Sequence, residues 1–168
     1  MFTAFGSGYY HLNPGNGPLV WDRLPMTVGF AGLFSIVIGE FVSTRAGRRV
    51  LTPLLIIGVA SVAYWASSEY YGFGDLRPYA VVQFLPMLLI PFVLLTYSPT
   101  IGSKKYYWLM LLFYVLAKVF EYFDADIFAN GELLSGHTLK HLFAAMTPAT
   151  MLYALHARRR SGPVTSNG

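Results

Sequence analysis

Five apolar stretches, at about residues 20–42, 50–67, 76–97, 106–122 and 136–157, decide what this chain can fold into. Each is close to the roughly 17 to 25 residues that cross a ~30 Å hydrocarbon core as an α-helix. None alternates polar with apolar residues at the period of two that a barrel strand requires. Inside a bilayer a segment must satisfy its own backbone polar groups, so stretches of this length imply helices. Only 12% of the 168 residues are charged, against roughly 25% in an ordinary soluble domain, too few to clothe such helices for water. Pro25, Pro53, Pro78, Pro86, Pro91 and Pro148 fall in or at the ends of these stretches, where membrane helices tolerate proline better than soluble ones do. The expected fold is all-α, a polytopic transmembrane helix bundle with five full spans. It forms a single domain over residues 1–160, and residues 161–168 read as a disordered cytoplasmic tail.

The placement of charge orients the chain. The connection after the first full span carries Arg45, Arg48 and Arg49, that after the third carries Lys104 and Lys105, and the C-terminal end carries Arg158, Arg159 and Arg160, with no acid among them. The intervening connections hold Glu69, Asp75 and Arg77, then Asp124, Asp126 and Glu132. The positive-inside rule makes the basic ends cytoplasmic, the C-terminus included. A nucleic-acid role for these arginines is excluded by how little loop surrounds them.

The beginning of the chain departs from this pattern. Residues 1–11 are apolar and helix-compatible, yet at ~1.5 Å per residue they cover roughly half of a hydrocarbon core. They lack the basic region and cleavage site of a secretory signal. The simplest expectation is the outer half of a helix whose start is missing, with some 40 to 70 further residues upstream, about two helices' worth. The Asn13-Pro14-Gly15-Asn16-Gly17-Pro18 cluster then turns the chain into the first full span.

Two imidazoles, His137 and His141, stand four residues apart at the head of the last stretch. On a helix, residues i and i+4 share a face one turn apart, so both rings can reach one metal ion. A lone pair of this kind at a membrane boundary also serves merely to bond water or headgroups. A third histidine, His11, changes the balance: it follows Ser7 by four residues, and Asp22 comes just after the connector. By the charge rule, all of these fall at one depth on the non-cytoplasmic side. The chain has no cysteine, so any metal must take nitrogen and oxygen ligands. Three histidines with an open fourth position match a catalytic zinc. Asp22 is then placed to take a proton from an attacking water and pass it to a leaving amine, and Ser7 to hydrogen-bond the oxyanion of a carbonyl under attack. Local structural roles stand beside these: Asp22 as a cap or charge at a helix start, Ser7 bonded to its own backbone.

Ser7-x-x-x-His11, Asp22 eleven residues later and His137-x-x-x-His141 resemble the signature of the alkaline ceramidase family, within the CREST superfamily of seven-helix membrane hydrolases. The wording Gly-Ser-Gly-Tyr-Tyr-His and Ser-Gly-His-Thr-Leu-Lys-His-Leu is similar to the bacterial branch. The resemblance spans nearly the whole chain, except that the family's first helix and most of its second have no counterpart, which makes the chain resemble a remnant of the seven-helix fold. It implies Zn2+ held by His11, His137 and His141, hydrolysis supported by Ser7 and Asp22, and cleavage of ceramide or a related N-acyl lipid to a fatty acid and a long-chain base or amine. It further implies a multi-pass protein of a bacterial inner membrane with the metal on the outer side. The acidic N-terminal segment that holds calcium in eukaryotic relatives is absent, so no calcium site carries over.

Two other functions compete. Histidines on facing helices also ligate haem iron in non-enzymatic membrane proteins, although haem has no need of a carboxylate beside it. A transporter or proton relay would use Glu40, Lys118 and Glu121, but these are scattered in depth and no inverted halves are visible. Lys118 and Glu121, at i and i+3, read as an ion pair, Lys140 as snorkelling or reaching Glu121 or Asp124, and Glu40 as a helix-end residue. His156 adjoins the C-terminal arginines, away from the other histidines. Tyr64, Trp65, Tyr70, Tyr71, Tyr106, Tyr107 and Trp108 read as interfacial belt residues.

Overall fold

The computed structural model describes residues 2–99, 103–131 and 135–160. Met1, Glu132 and the expected tail at 161–168 lie outside the described residues. All described secondary structure is helical, in two compact units, Met1–Thr100 and Ile101–Gly168. The first unit holds α1 (Phe2–Leu12), α2 (Asn16–Phe41), α3 (Thr44–Tyr70) and α4 (Arg77–Thr96); the second holds α5 (Lys104–Tyr122), α6 (Asp124–Gly131) and α7 (Gly136–Arg160). Every expected apolar stretch is a helix. Three of these helices, α2, α3 and α4, are long and apolar enough to cross a membrane. The other two carry polar groups within the length a span needs: α5 has Lys104, Lys105, Lys118 and Glu121 within nineteen residues, and α7 opens on His137, Lys140 and His141.

In the first unit α2 and α3 form a tight antiparallel hairpin joined by Val42 and Ser43. Ser43 caps α3 by accepting a hydrogen bond from the Ala46 amide at 3.1 Å. The helices cross where neither has a side chain to interpose: a Cβ on Gly47 would stand 2.6 Å from Gly39 Cα and 2.6 Å from the Ser35 carbonyl oxygen. Ser35 Oγ completes the crossing by donating to the Gly47 carbonyl at 2.7 Å. Further along, Gly58 faces Thr27, and at the open end Asn16 Nδ2 donates to Glu69 Oε2 at 2.9 Å. The turn from α3 to α4 uses Gly72 and Gly74 at positive φ, 84° and 52°, which only glycine adopts without strain. Ser68 Oγ accepts from the Asp75 amide at 2.8 Å and so fastens the turn to α3.

In the second unit α5 and α7 also run antiparallel. Tyr106 meets Tyr153 at one end, and Phe120 stacks on Phe143 at 5.0 Å nearer the other. The ion pairs expected from the sequence are present: Lys118 with Glu121 at 2.6 Å and Lys140 with Glu121 at 3.1 Å. Between them lies α6, which the apolar pattern does not indicate; Asp124 and Asp126 in its first turn suit the positive end of the helix dipole.

One boundary and two aromatic residues correct the sequence reading. Helix α2 begins at Asn16, inside the expected turn, because Gly15 is extended and Pro18 sits in the first turn, where its missing N–H costs nothing. Trp65 and Tyr107 are each only 1% exposed and are core residues, not belt residues. Tyr64, Tyr70, Tyr71 and Trp108 are exposed.

Candidate metal centre

His137 and His141 lie in the first two turns of α7, and the helix brings them together as the spacing requires. Their Nε2 atoms are 3.0 Å apart and their ring centroids 4.7 Å. Two imidazole nitrogens on one tetrahedral zinc, each about 2.0 to 2.1 Å from the ion, stand about 3.3 Å from each other. The pair is within a few tenths of an ångström of that separation, so the two nitrogens are spaced to share one metal ion. The same distance accommodates an N–H···N bond between the rings, one as donor and one as acceptor.

The start of α7 is held from α5 and α6. Asp124 Oδ1 accepts a hydrogen bond from the His137 amide at 2.7 Å, capping a helix terminus whose first amides have no partner within the helix. Gly136 is buried against the end of α5: a Cβ there would meet the Phe120 carbonyl oxygen at 2.3 Å and Asp124 Cα at 2.7 Å. Ser135 Oγ accepts from the Thr138 amide at 3.1 Å. Asp124 and Gly136 thus position His137, and periodicity alone does not reveal them, since the capping carboxylate is thirteen residues away.

The remaining site residues belong to the first unit. His11 is exposed on the last turn of α1, its ring edge-on to Tyr10 at 5.4 Å, and Ser7 lies one turn earlier. Helix α1 packs on α2 through Gly6, the one buried residue of α1. A Cβ on Gly6 would lie 2.1 Å from the Trp21 carbonyl oxygen and 3.2 Å from Asp22 Cα. The Trp21 carbonyl is the one that Pro25, four residues on and lacking an N–H, leaves without its helical donor. A proline in α2 and a glycine in α1 therefore set Ser7 beside the stretch that carries Asp22. The local roles weighed for these two residues are not the ones they play. Asp22 is well inside α2, whose first turn has no acid and whose cap position is Gly15. Ser7 Oγ makes no backbone hydrogen bond among the described residues.

Sequence reasoning passed over Arg23, half-buried next to Asp22. Its guanidinium carbon lies 4.2 Å from the Trp65 ring centroid and 5.0 Å from that of Tyr79. A charged residue inside an apolar stretch was the available signal. Nearby, outside the helices, Asp75 has its carboxyl held well below the usual range, first by the Arg77 side chain at 2.8 Å and then by the Arg77 amide. Comparisons with protein-family models, curated proteins and solved structures gave no match.

Proposed function

We propose that this chain is a zinc-dependent intramembrane amidohydrolase that cleaves the amide bond of ceramide or a related N-acyl lipid. The observation that carries the reading is the convergence of the His137 and His141 Nε2 atoms at 3.0 Å on a capped helix start. In this reading His11 is the third ligand, as the family resemblance implies, α5 and α7 are the fourth and fifth spans, and the site faces the outer side of a bacterial inner membrane with the C-terminus cytoplasmic. The alkaline ceramidase resemblance of Ser7, His11, Asp22, His137 and His141 supports the same assignment.

Bound zinc would supply a Lewis acid and a water activated near neutral pH. The chain's own residues do the rest. Asp22 takes a proton as the water oxygen bonds to the amide carbon, then returns it to the nitrogen as the C–N bond breaks. Ser7 donates a hydrogen bond to the carbonyl oxygen as it gains charge. The exposed apolar faces of α2, α3 and α4 keep the acyl chain in lipid while the amide reaches the polar end.

Metal analysis of purified protein tests this reading. About one zinc per chain is expected, lost in His137→Ala, together with amidase activity on N-acyl lipids. A Soret band would replace the reading with a haem protein, and full zinc occupancy in His137→Ala would remove the histidine assignment.

A further inference from the structure

Arg23 carries more donor capacity than the folded chain uses. Contact with the Trp65 and Tyr79 rings recognises its positive charge but supplies no oxygen acceptor for its N–H groups. Arg23 Nη1 is buried and has no hydrogen-bond partner among the described residues. Asp22 and Glu69 face it through charge alone, and neither accepts a hydrogen bond from it among the described residues. Glu69 is engaged by Trp65 Nε1 at 3.1 Å and Asn16 Nδ2 at 2.9 Å, and Asp75 by Arg77. A second, independent orphan lies in the same unit: Gln83 is 6% exposed, and its Nε2 has no partner either. Gln83 follows Tyr79 by one turn of α4, on the same face. Folded proteins keep few buried donors without acceptors.

An acceptor for this pair is constrained by chemistry. It must be anionic to match the guanidinium, and a planar carboxylate suits the guanidinium fork better than any neutral oxygen. It must come attached to an apolar chain, because α2 and α4 expose Val28, Val81, Leu85 and Leu88 along their length. A phosphate, with its second charge, would meet greater repulsion from Asp22 and Glu69.

We propose that Arg23, assisted by Gln83, binds a carboxylate carried by a membrane amphiphile. The inference rests on the hydrolase reading for the origin of that group: either the fatty acid released by amide cleavage, or the amine half of an N-acyl amino acid substrate. Ceramide, whose amine half is neutral, has no group of this kind to offer before cleavage.

Equilibrium binding to the full chain in phosphatidylcholine nanodiscs tests it. A His137→Ala/His141→Ala background separates binding from turnover. Radiolabelled palmitate and N-palmitoylglycine should bind, and methyl palmitate should not. Arg23→Gln should raise the carboxylate Kd about tenfold or more, and Gln83→Leu, which changes no charge, a few-fold. Tighter binding of N-palmitoylglycine identifies the substrate as the source, and tighter binding of palmitate the product. Equal binding of the methyl ester, tighter binding of hexadecyl phosphate, or an unchanged Kd in Arg23→Gln overturns the proposal. If Arg23→Gln does not fold, an unchanged Kd in Gln83→Leu does the same. Since the histidine variants lack the metal ligands, loss of carboxylate binding counts against this site and leaves the zinc reading standing.

Discussion

Replacing Gly136 by alanine places one methyl group where the end of α5 already lies. The added Cβ would meet the Phe120 carbonyl oxygen at 2.3 Å and Asp124 Cα at 2.7 Å, both backbone atoms that cannot rotate away. An ordinary contact needs roughly 3.4 Å or more, so α7 must retreat by about 1 Å at its first turn, with overpacking costing about 1–3 kcal/mol. That retreat also stretches the 2.7 Å bond from the His137 amide to Asp124 Oδ1 beyond useful length. Loss of such a cap adds about 0.5–2 kcal/mol. At about 2–4 °C per kcal/mol for a chain of this size, the melting temperature should fall by roughly 3–20 °C. Zinc affinity should fall with it, by about tenfold or more, since partners that orient a ligand matter nearly as much as the ligand. Gly29→Ala is the matched control: its Cβ would have nothing within 4 Å, and alanine favours a helix interior by about 0.5–1 kcal/mol. The assays are thermal unfolding in detergent and zinc titration by competition with a chelating dye. A Gly136→Ala protein that melts and binds zinc like the Gly29→Ala control would refute the packing argument.

Asp22→Asn should keep its metal and lose roughly a hundredfold or more in turnover on an N-acyl lipid, and Ser7→Ala should keep it and lose about tenfold to a thousandfold; equal loss of metal and activity would make either residue a ligand or a structural support. The Asp75 carboxyl, held low by Arg77, contributes stability that is present above about pH 4 and lost as pH falls through its depressed value. Melting curves from pH 7 to pH 2 should therefore show a flatter acid decline for Asp75→Asn than for the parent, and an identical decline would count against the pairing.

The apolar stretches and their order follow from the sequence alone, because a bilayer-length run of apolar residues has few ways to satisfy its backbone other than as a helix. The same local logic makes the His137/His141 pair and the Lys118–Glu121 ion pair readable, since both depend only on the helical repeat. Tertiary packing decided what lies between segments. Trp65 has the composition of a belt residue, yet it is buried with Arg23 over its ring and Glu69 on its indole nitrogen. Gly6, Gly47 and Gly136 resemble the chain's other glycines until a neighbouring backbone comes within 3 Å of the position a Cβ would take. Asp124 becomes the cap of His137 only when α5, α6 and α7 fold back on one another. Periodicity reports the face a residue occupies on its own helix. Which neighbour that face meets depends on side-chain volumes and backbone approach between segments tens of residues apart, and that information exists only once the helices are packed.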